Sequence, residues 1–309
     1  MRLPSLVVLL GLALATATAA GMPRAVVAAT PESIAVVADD GHTLTLWGKA
    51  PPAPKGTILL LHGRTWSARP NFDLQVAGTP RSVMDALVYA GYAAYALDQR
   101  GYGASPRDAS GWLTPERAVG DVVAAAKVIR ERHPGLPAPA VVGYSMGSVT
   151  AFFAAQQHPD AFSVLVLYGY PLDADGARLA TLEPDATEPA RAATTAEAAG
   201  EDFVVAGAAP PAVVEAYVAQ ALAADPVRVD WKNLAQFRLD PAKLTTPTLL
   251  LQGVGDGYVQ PDAVATLFNR LGTPDRSWVV LPDSDHVAHV EDAMPAWVAA
   301  ILGFIERPR

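Results

Sequence analysis

Gly143-Tyr144-Ser145-Met146-Gly147 sets one serine between two glycines at G-x-S-x-G spacing. An apolar run, Ala138-Pro139-Ala140-Val141-Val142, precedes it, and an alanine-rich helical pattern from Ser148 to Gln157 follows. Strand, sharp turn and helix in that order form a nucleophile elbow, which lifts the serine hydroxyl clear of a sheet. The two backbones approach closely there, so small residues are needed two before and two after Ser145. A serine hydroxyl is a poor nucleophile at its own pKa. It needs a general base within hydrogen-bond reach, a carboxylate to orient that base, and N–H donors for the developing oxyanion.

Six histidines are available as the base. His133 and His158 each precede a proline at the end of a helical pattern, which suits surface or capping roles. His42 lies in an early strand, and His62 belongs to a different motif. His286 and His289 remain, in Leu281-Pro282-Asp283-Ser284-Asp285-His286-Val287-Ala288-His289. That loop follows the last strand, at the carboxyl edge where open α/β sheets place their sites. His286 is the preferred base, and His289 reads as a partly buried polar residue near the final helix. Asp283, Asp285, His286 and His289 have the residue types of a metal cluster, but no pattern supplies a third ligand, and neither metal nor cofactor is expected.

The orienting acid is sought in another loop at the same edge. Asp256, in Gln252-Gly253-Val254-Gly255-Asp256-Gly257-Tyr258, directly follows a strand. Asp173 is the runner-up, and Asp262 is better placed to cap the next helix. Met146, the residue after the nucleophile, offers one oxyanion amide at a helix start, where free N–H groups and the helix dipole favour negative charge. The second comes from His62-Gly63-Arg64-Thr65-Trp66, with Arg64 preferred and Thr65 close behind.

These side chains need elements to hold them. Ser33–Ala38 and His42–Trp47 read as strands joined by the hairpin signal Asp39-Asp40-Gly41. Thr57–Leu61 is continuously apolar, as in a strand buried on both faces. A helix is expected over Arg81–Tyr89 and a strand over Tyr92–Leu97. Thr114-Pro115-Glu116 starts a helix that runs to Arg132. Strands follow at Phe162–Leu167, Pro247–Leu251 and Ser277–Leu281, with helices at Pro261–Leu271 and Glu291–Glu306. Strands alternating with helices predict a mostly parallel, doubly wound α/β sheet. Residues 170–243, rich in alanine, proline and acids, break that rhythm and read as an inserted helical cap. The core is thus assigned to 33–169 and 244–309.

The chain has 309 residues, 51% of them apolar, with a formal net charge of −8 and no cysteine. No basic run exists to suit nucleic acid. Thiolate catalysis and thiolate metal sites are excluded. Arg2, the apolar stretch Leu3–Leu14 and a small-residue tract containing Ala17-Thr18-Ala19 describe a signal peptide over residues 1–20. A disordered junction at 21–32 follows. The apolar stretch is short for a membrane span, so an exported protein without a retained anchor is expected, periplasmic or extracellular. Oligomeric state is not legible.

In sequence order, Ser145, Asp256 and His286 make the chain resemble the α/β-hydrolase superfamily, whose triad runs nucleophile, acid, histidine. Leu59-Leu60-Leu61-His62-Gly63 resembles its oxyanion strand and loop. Asp98-Gln99-Arg100-Gly101-Tyr102-Gly103-Ala104-Ser105 resembles the D-x-R-G-x-G-x-S turn of its capped members, where Asp98 and Arg100 shape the turn rather than the chemistry. The resemblance implies a serine hydrolase acting on a small-molecule carboxylic ester, with Trp66 and Tyr144 lining an apolar pocket. Amide or peptide hydrolysis of the serine aminopeptidase kind, for which Asp173, Asp175 and Glu201 are the acids available to hold a free amine, other chemistry on the scaffold, and a non-catalytic binding protein are the alternatives. Three departures stand out: bulky Arg64-Thr65-Trp66 in the oxyanion loop, Gly257-Tyr258 after the acid, and Ser148 where a further glycine is common.

Overall fold

The computed structural model describes residues 30–308. The expected signal peptide, and the expected junction up to residue 29, lie outside the described residues. Two strands open the chain, β1 (Glu32–Val37) and β2 (Thr43–Lys49), followed by β3 (Thr57–Leu61). The Asp39-Asp40-Gly41 signal makes the β1–β2 turn, with Gly41 at φ +81°. The short helix α1 (Ala68–Phe72) and a small hairpin, β4 (Leu74–Val76) with β5 (Thr79–Arg81), come next. Then follow α2 (Val83–Tyr89), β6 (Ala93–Asp98), β7 (Trp112–Leu113), α3 (Pro115–Arg132), β8 (Ala140–Tyr144), α4 (Met146–Gln157) and β9 (Val164–Tyr168). The stretch up to residue 243 contains α5 (Ala196–Gly200), α6 (Pro211–Ala224) and β10 (Asp230–Trp231). The chain closes with β11 (Thr248–Gly253), α7 (Pro261–Arg270), β12 (Arg276–Leu281) and α8 (Met294–Ile305).

Eight strands form one sheet in the order β1-β2-β6-β3-β8-β9-β11-β12. Pairing is antiparallel at β1–β2 and β2–β6 and parallel from β6 onward. Alternation along β3 shows how the layers are sorted. Leu59 and Leu61 pack with α3, α4 and α7, whereas Ile58 and Leu60 pack with α1, α2, α6 and α8. Both faces are covered, which is why β3, β8 and β9 are buried without interruption.

Helix starts obey their caps. Ser82 Oγ accepts from the Asp85 amide at 3.0 Å, so α2 begins at Val83 and leaves Arg81 to β5. Thr114 caps α3 in the same way. The last helix begins at Met294, three residues later than the sequence pattern suggests, because Glu291 turns its carboxylate back onto the Asp285 amide at 3.1 Å. Glu32, placed in the junction by sequence, is already in β1. In the 170–243 stretch, α-helix is confined to α5 and α6. The rest is turn, loop and short 3₁₀ helices at Ala177–Thr181, Leu234–Gln236 and Pro241–Lys243, pinned by β10 pairing in parallel with β7.

Candidate active site

The glycines around Ser145 are dictated by space. A Cβ at Gly143 would lie 2.4 Å from the Gly147 carbonyl oxygen, and one at Gly147 would lie 2.4 Å from that of His62. No side chain fits either contact. Between them Ser145 takes φ 52° and ψ −122°, a strained conformation for a residue with a side chain. Its amide donates to Tyr168 O at 2.9 Å, which ties the elbow to the end of β9. Ser148, noted as a departure, donates its hydroxyl to Ser145 O at 2.6 Å and so reinforces the first turn of α4.

His286 and Asp256 are brought together by the loops after β12 and β11. The carboxylate can only accept, so the imidazole donates from Nδ1 to Asp256 Oδ2 at 2.8 Å. That fixes the tautomer and leaves Nε2 as the proton acceptor. The second oxygen, Oδ1, accepts from the Tyr258 amide at 3.0 Å. Both side chains are buried. Gly169, which sequence reading missed, makes room for the pair. It has φ +58°, and a Cβ there would sit 3.0 Å from the imidazole. Its only signal is its place directly after a β-strand and the residue Tyr168.

Ser145 and His286 line one cavity of about 270 Å³. Gly63, Arg64, Thr65, Trp66, Tyr144 and Met146 also line it. The loop after β3 is held by a buried histidine. Gln99 N–H donates to His62 Nε2 at 3.1 Å, so Nδ1 carries the proton and donates to Gly63 O at 2.8 Å. Burial pushes His62 down to about 4, which keeps it neutral. In a trans peptide, a Gly63 carbonyl aimed at His62 turns the Arg64 amide the opposite way. The next carbonyl, Arg64 O, accepts the Tyr102 hydroxyl. Tyr102 comes from the Asp98–Ser105 turn. That turn is built on Asp98, which accepts from Trp47 Nε1 and from the Ala68 and Ala104 amides. Arg100 is spent on Asp40 and Asp121.

The other residues weighed from sequence go elsewhere. His289 is fully buried, deeper than expected. It faces Asn71 Oδ1 at 3.3 Å and Tyr168 Oη at 3.5 Å, and burial pushes it down to about 3. Asp173 takes the Arg178 amide. Asp262 lies in the first turn of α7, with Gln260 at the cap position. Asp285 accepts the Val204 and Val205 amides at 2.8 and 2.9 Å and the Val287 amide at 3.0 Å, so both its carboxylate oxygens are engaged by backbone. The 170–243 stretch brings four charged residues to the cavity: Glu201, one of the acids weighed for an amine pocket, and Arg178, Arg228 and Asp202, which sequence reading missed. Burial raises Asp202, partly offset by nearby His286 and by a hydrogen bond from Tyr258. The Tyr258 ring lies 4.7 Å from that of His286. No periodicity marks these residues, because their positions depend on how a loop folds back.

A family model described as serine aminopeptidase, S33, matches residues 52–293. The chain belongs to this family. It is a hydrolase with the α/β-hydrolase fold expected from sequence. A monoacylglycerol lipase of Mycolicibacterium smegmatis is 25% identical over 288 residues, covering 81% of this chain and 90% of that protein. A thermophilic esterase from Thermogutta terrifontis superposes with a TM-score of 0.68 at 20% identity, covering 89% of this chain and 98% of its own. An esterase from Exiguobacterium antarcticum gives 0.62 at 16% identity, covering 89% and 100%.

Proposed function

We propose that this S33-family member is an exported serine hydrolase that cleaves carboxylic esters through Ser145, His286 and Asp256. One observation carries the reading. An imidazole fixed by a carboxylate at 2.8 Å opens onto the same cavity as a strained serine at a helix start. In this scheme Ser145 attacks the ester carbonyl while His286 Nε2 takes its proton. Asp256 steadies the imidazolium. The Met146 and Arg64 amides hold the oxyanion, each such donor contributing about two to three powers of ten in rate. His286 then protonates the departing alcohol. Water, deprotonated by the same nitrogen, releases the acid and restores Ser145.

The names of relatives, a lipase and two esterases, favour esters. Trp66, Tyr144 and Met146 supply an apolar wall. The second reading is amide hydrolysis on substrates bearing a free amine. The family description and the acids Glu201 and Asp202 in the cavity favour it. A panel of neutral acyl esters beside aminoacyl anilides decides between them. Ester turnover above anilide turnover is expected, together with fluorophosphonate labelling of Ser145. Faster anilide turnover selects the second reading, and a folded protein that neither labels nor turns over rejects both. Export is tested by finding mature chain, lacking residues 1–20, outside the cytoplasm.

A further inference from the structure

Three arginines line the cavity: Arg64 from the loop after β3, and Arg178 and Arg228 from the 170–243 stretch. Arg64 is partly buried and the other two are exposed, whereas the fully buried arginines are matched with acids. Arg100 meets Asp40 and Asp121, and Arg81 meets Asp292. Among the described residues, the three cavity arginines are in no ion pair. Arg64 is the most demanding of them. Its Nε is buried with no acceptor. Burial lowers its pKa and Arg228 beside it adds to the fall, against the attraction of Tyr102 and Asp230. A partly buried guanidinium whose attracting acid, Asp230, makes no ion pair with it gains from an anion that does.

The acids of the cavity do not complete it. Asp202 is engaged by the Tyr258 hydroxyl and lies near His286. Glu201 is exposed to solvent. Neither acts on Arg64, whose charged neighbours are Arg228 and Asp230. The polar ends of the cavity are therefore sorted: an acid beside the imidazole, and two guanidiniums beside the oxyanion loop. Arg64, Arg228 and Ser145 line the same cavity of about 270 Å³, so an anion held by the guanidiniums and the reacting carbonyl share one small pocket.

We propose that Arg64 and Arg228 together bind a carboxylate on the substrate, so that the cavity selects short esters carrying a second, anionic group. This rests on the ester-hydrolase reading and narrows it. Planar guanidinium forks match carboxylate geometry; part-buried Arg64 holds it more strongly than an exposed lysine would, and exposed Arg228 adds a second fork. The carboxylate can sit on the acyl or on the alcohol side, and the test separates these.

The experiment compares kcat/KM within two matched pairs. Monoethyl glutarate against ethyl pentanoate probes the acyl side. The butyryl ester of 3-hydroxybenzoate against phenyl butyrate probes the alcohol side. In at least one pair the anionic member should be favoured about tenfold or more, through KM, with the advantage shrinking as salt rises. Arg228→Gln and Arg64→Gln should each cut that anionic-to-neutral ratio at least about tenfold. Preference for the neutral member in both pairs overturns the proposal while leaving the ester reading intact. So does a ratio unmoved by either substitution, or labelling of Ser145 without turnover of any of the four esters. Absence of both labelling and turnover overturns the ester reading itself.

Discussion

The two walls of the cavity are built by different means. On the sheet side, Gly63, Tyr144, Ser145, Met146 and His286 sit where backbones nearly touch, with virtual Cβ contacts as short as 2.4 Å at Gly143 and Gly147. Nothing there can shift without moving a strand. On the facing side, Arg178 in a short 3₁₀ helix and Glu201 and Arg228 outside helices and strands are exposed, and Leu182 is only partly covered. The 170–243 stretch buries Val213, Tyr217, Ala221 and Trp231 in the core, but the side chains it turns to the cavity are held from behind by backbone bonds. Asp225 takes the Ser67 and Gly103 amides, and Asp285 takes those of Val204 and Val205. The rigid wall suits chemistry, which tolerates little misplacement. The more exposed wall suits substrate choice. Substitutions should therefore divide by wall: those on the sheet side collapse kcat or the fold, and those opposite redistribute KM among substrates.

The largest effect is expected at the nucleophile. Ser145→Ala should lower kcat on a neutral aryl ester by about 10⁶ and abolish fluorophosphonate labelling, with the melting temperature nearly unchanged. Retained turnover would remove Ser145 from the chemistry and erase the contrast between the walls. Asp256→Asn comes next. The amide can present its N–H₂ to Nδ1 and favour the wrong imidazole tautomer, so kcat should fall by about 10⁴ with KM little changed. A loss under tenfold would point to a different orienting acid.

The rigidity of the sheet side has its own test, in the helices that carry glycine. Alanine at Gly147 would drive a methyl against the His62 and Leu61 carbonyl oxygens at 2.4 and 2.5 Å. A loss of about 3 kcal/mol is expected, at the upper end of overpacking costs. Gly303, in α8, has open space around it. Gly303→Ala should gain roughly 0.5–1 kcal/mol by helix propensity. Urea denaturation of the pair reads both signs. Equal responses would show that the elbow yields more than its spacing implies.

The sheet side was the legible one. G-x-S-x-G, the apolar run of β3 and the hairpin at Gly41 are local patterns, because each depends on residues adjacent in sequence. His286 and Asp256 were accessible through topology, since both follow strands at one edge of the sheet. The facing wall was not accessible. Arg228 and Asp202 are 26 residues apart with no shared periodicity, and their arrival at one cavity depends on loop packing and on the unforeseen β7–β10 pairing. Gly169 was missed for another reason: a glycine after a strand has many uses, and only the imidazole 3.0 Å from its virtual Cβ reveals this one. Arg64 was chosen for its amide, while its guanidinium drew attention only as a departure from small residues.

The joint between the walls should respond to pH through Glu291. Burial, with Asp285 beside it, pushes Glu291 up to about 8, and Asp292 adds to the rise. Arg81 offers no relief to the carboxyl, since it donates to the Glu291 carbonyl and to Asp292. An acid whose folded pKa exceeds its unfolded one holds more protons when native. Its contribution is whole below the unfolded value, near 4.5, and is lost as pH climbs toward 8. Wild-type protein should then lose stability relative to Glu291→Gln between pH 6 and 9, by on the order of 2 kcal/mol. Urea midpoints across that range measure it. Parallel curves for the two proteins would show that Glu291 is ionised in the native state.

The smallest effect concerns Tyr102, which joins the walls without touching the reacting atoms. Its hydroxyl donates to Arg64 O and accepts from Trp231 Nε1 at 3.0 Å, linking the loop after β3 to β10. Phenylalanine would keep the ring, which lies 4.5 Å from His62, and delete both bonds. The net loss of stability should be about 1 kcal/mol, with the Trp231 N–H left unpaired. The informative reading is kinetic. If Tyr102 only supports the fold, Tyr102→Phe lowers the melting temperature and leaves kcat alone. If it aims the Arg64 peptide, kcat on a neutral ester falls several-fold at unchanged KM, because the misplaced amide is needed more by the oxyanion than by the ground state. The second result is the expected one, since the carbonyl that Tyr102 holds belongs to the residue whose own amide must face the cavity.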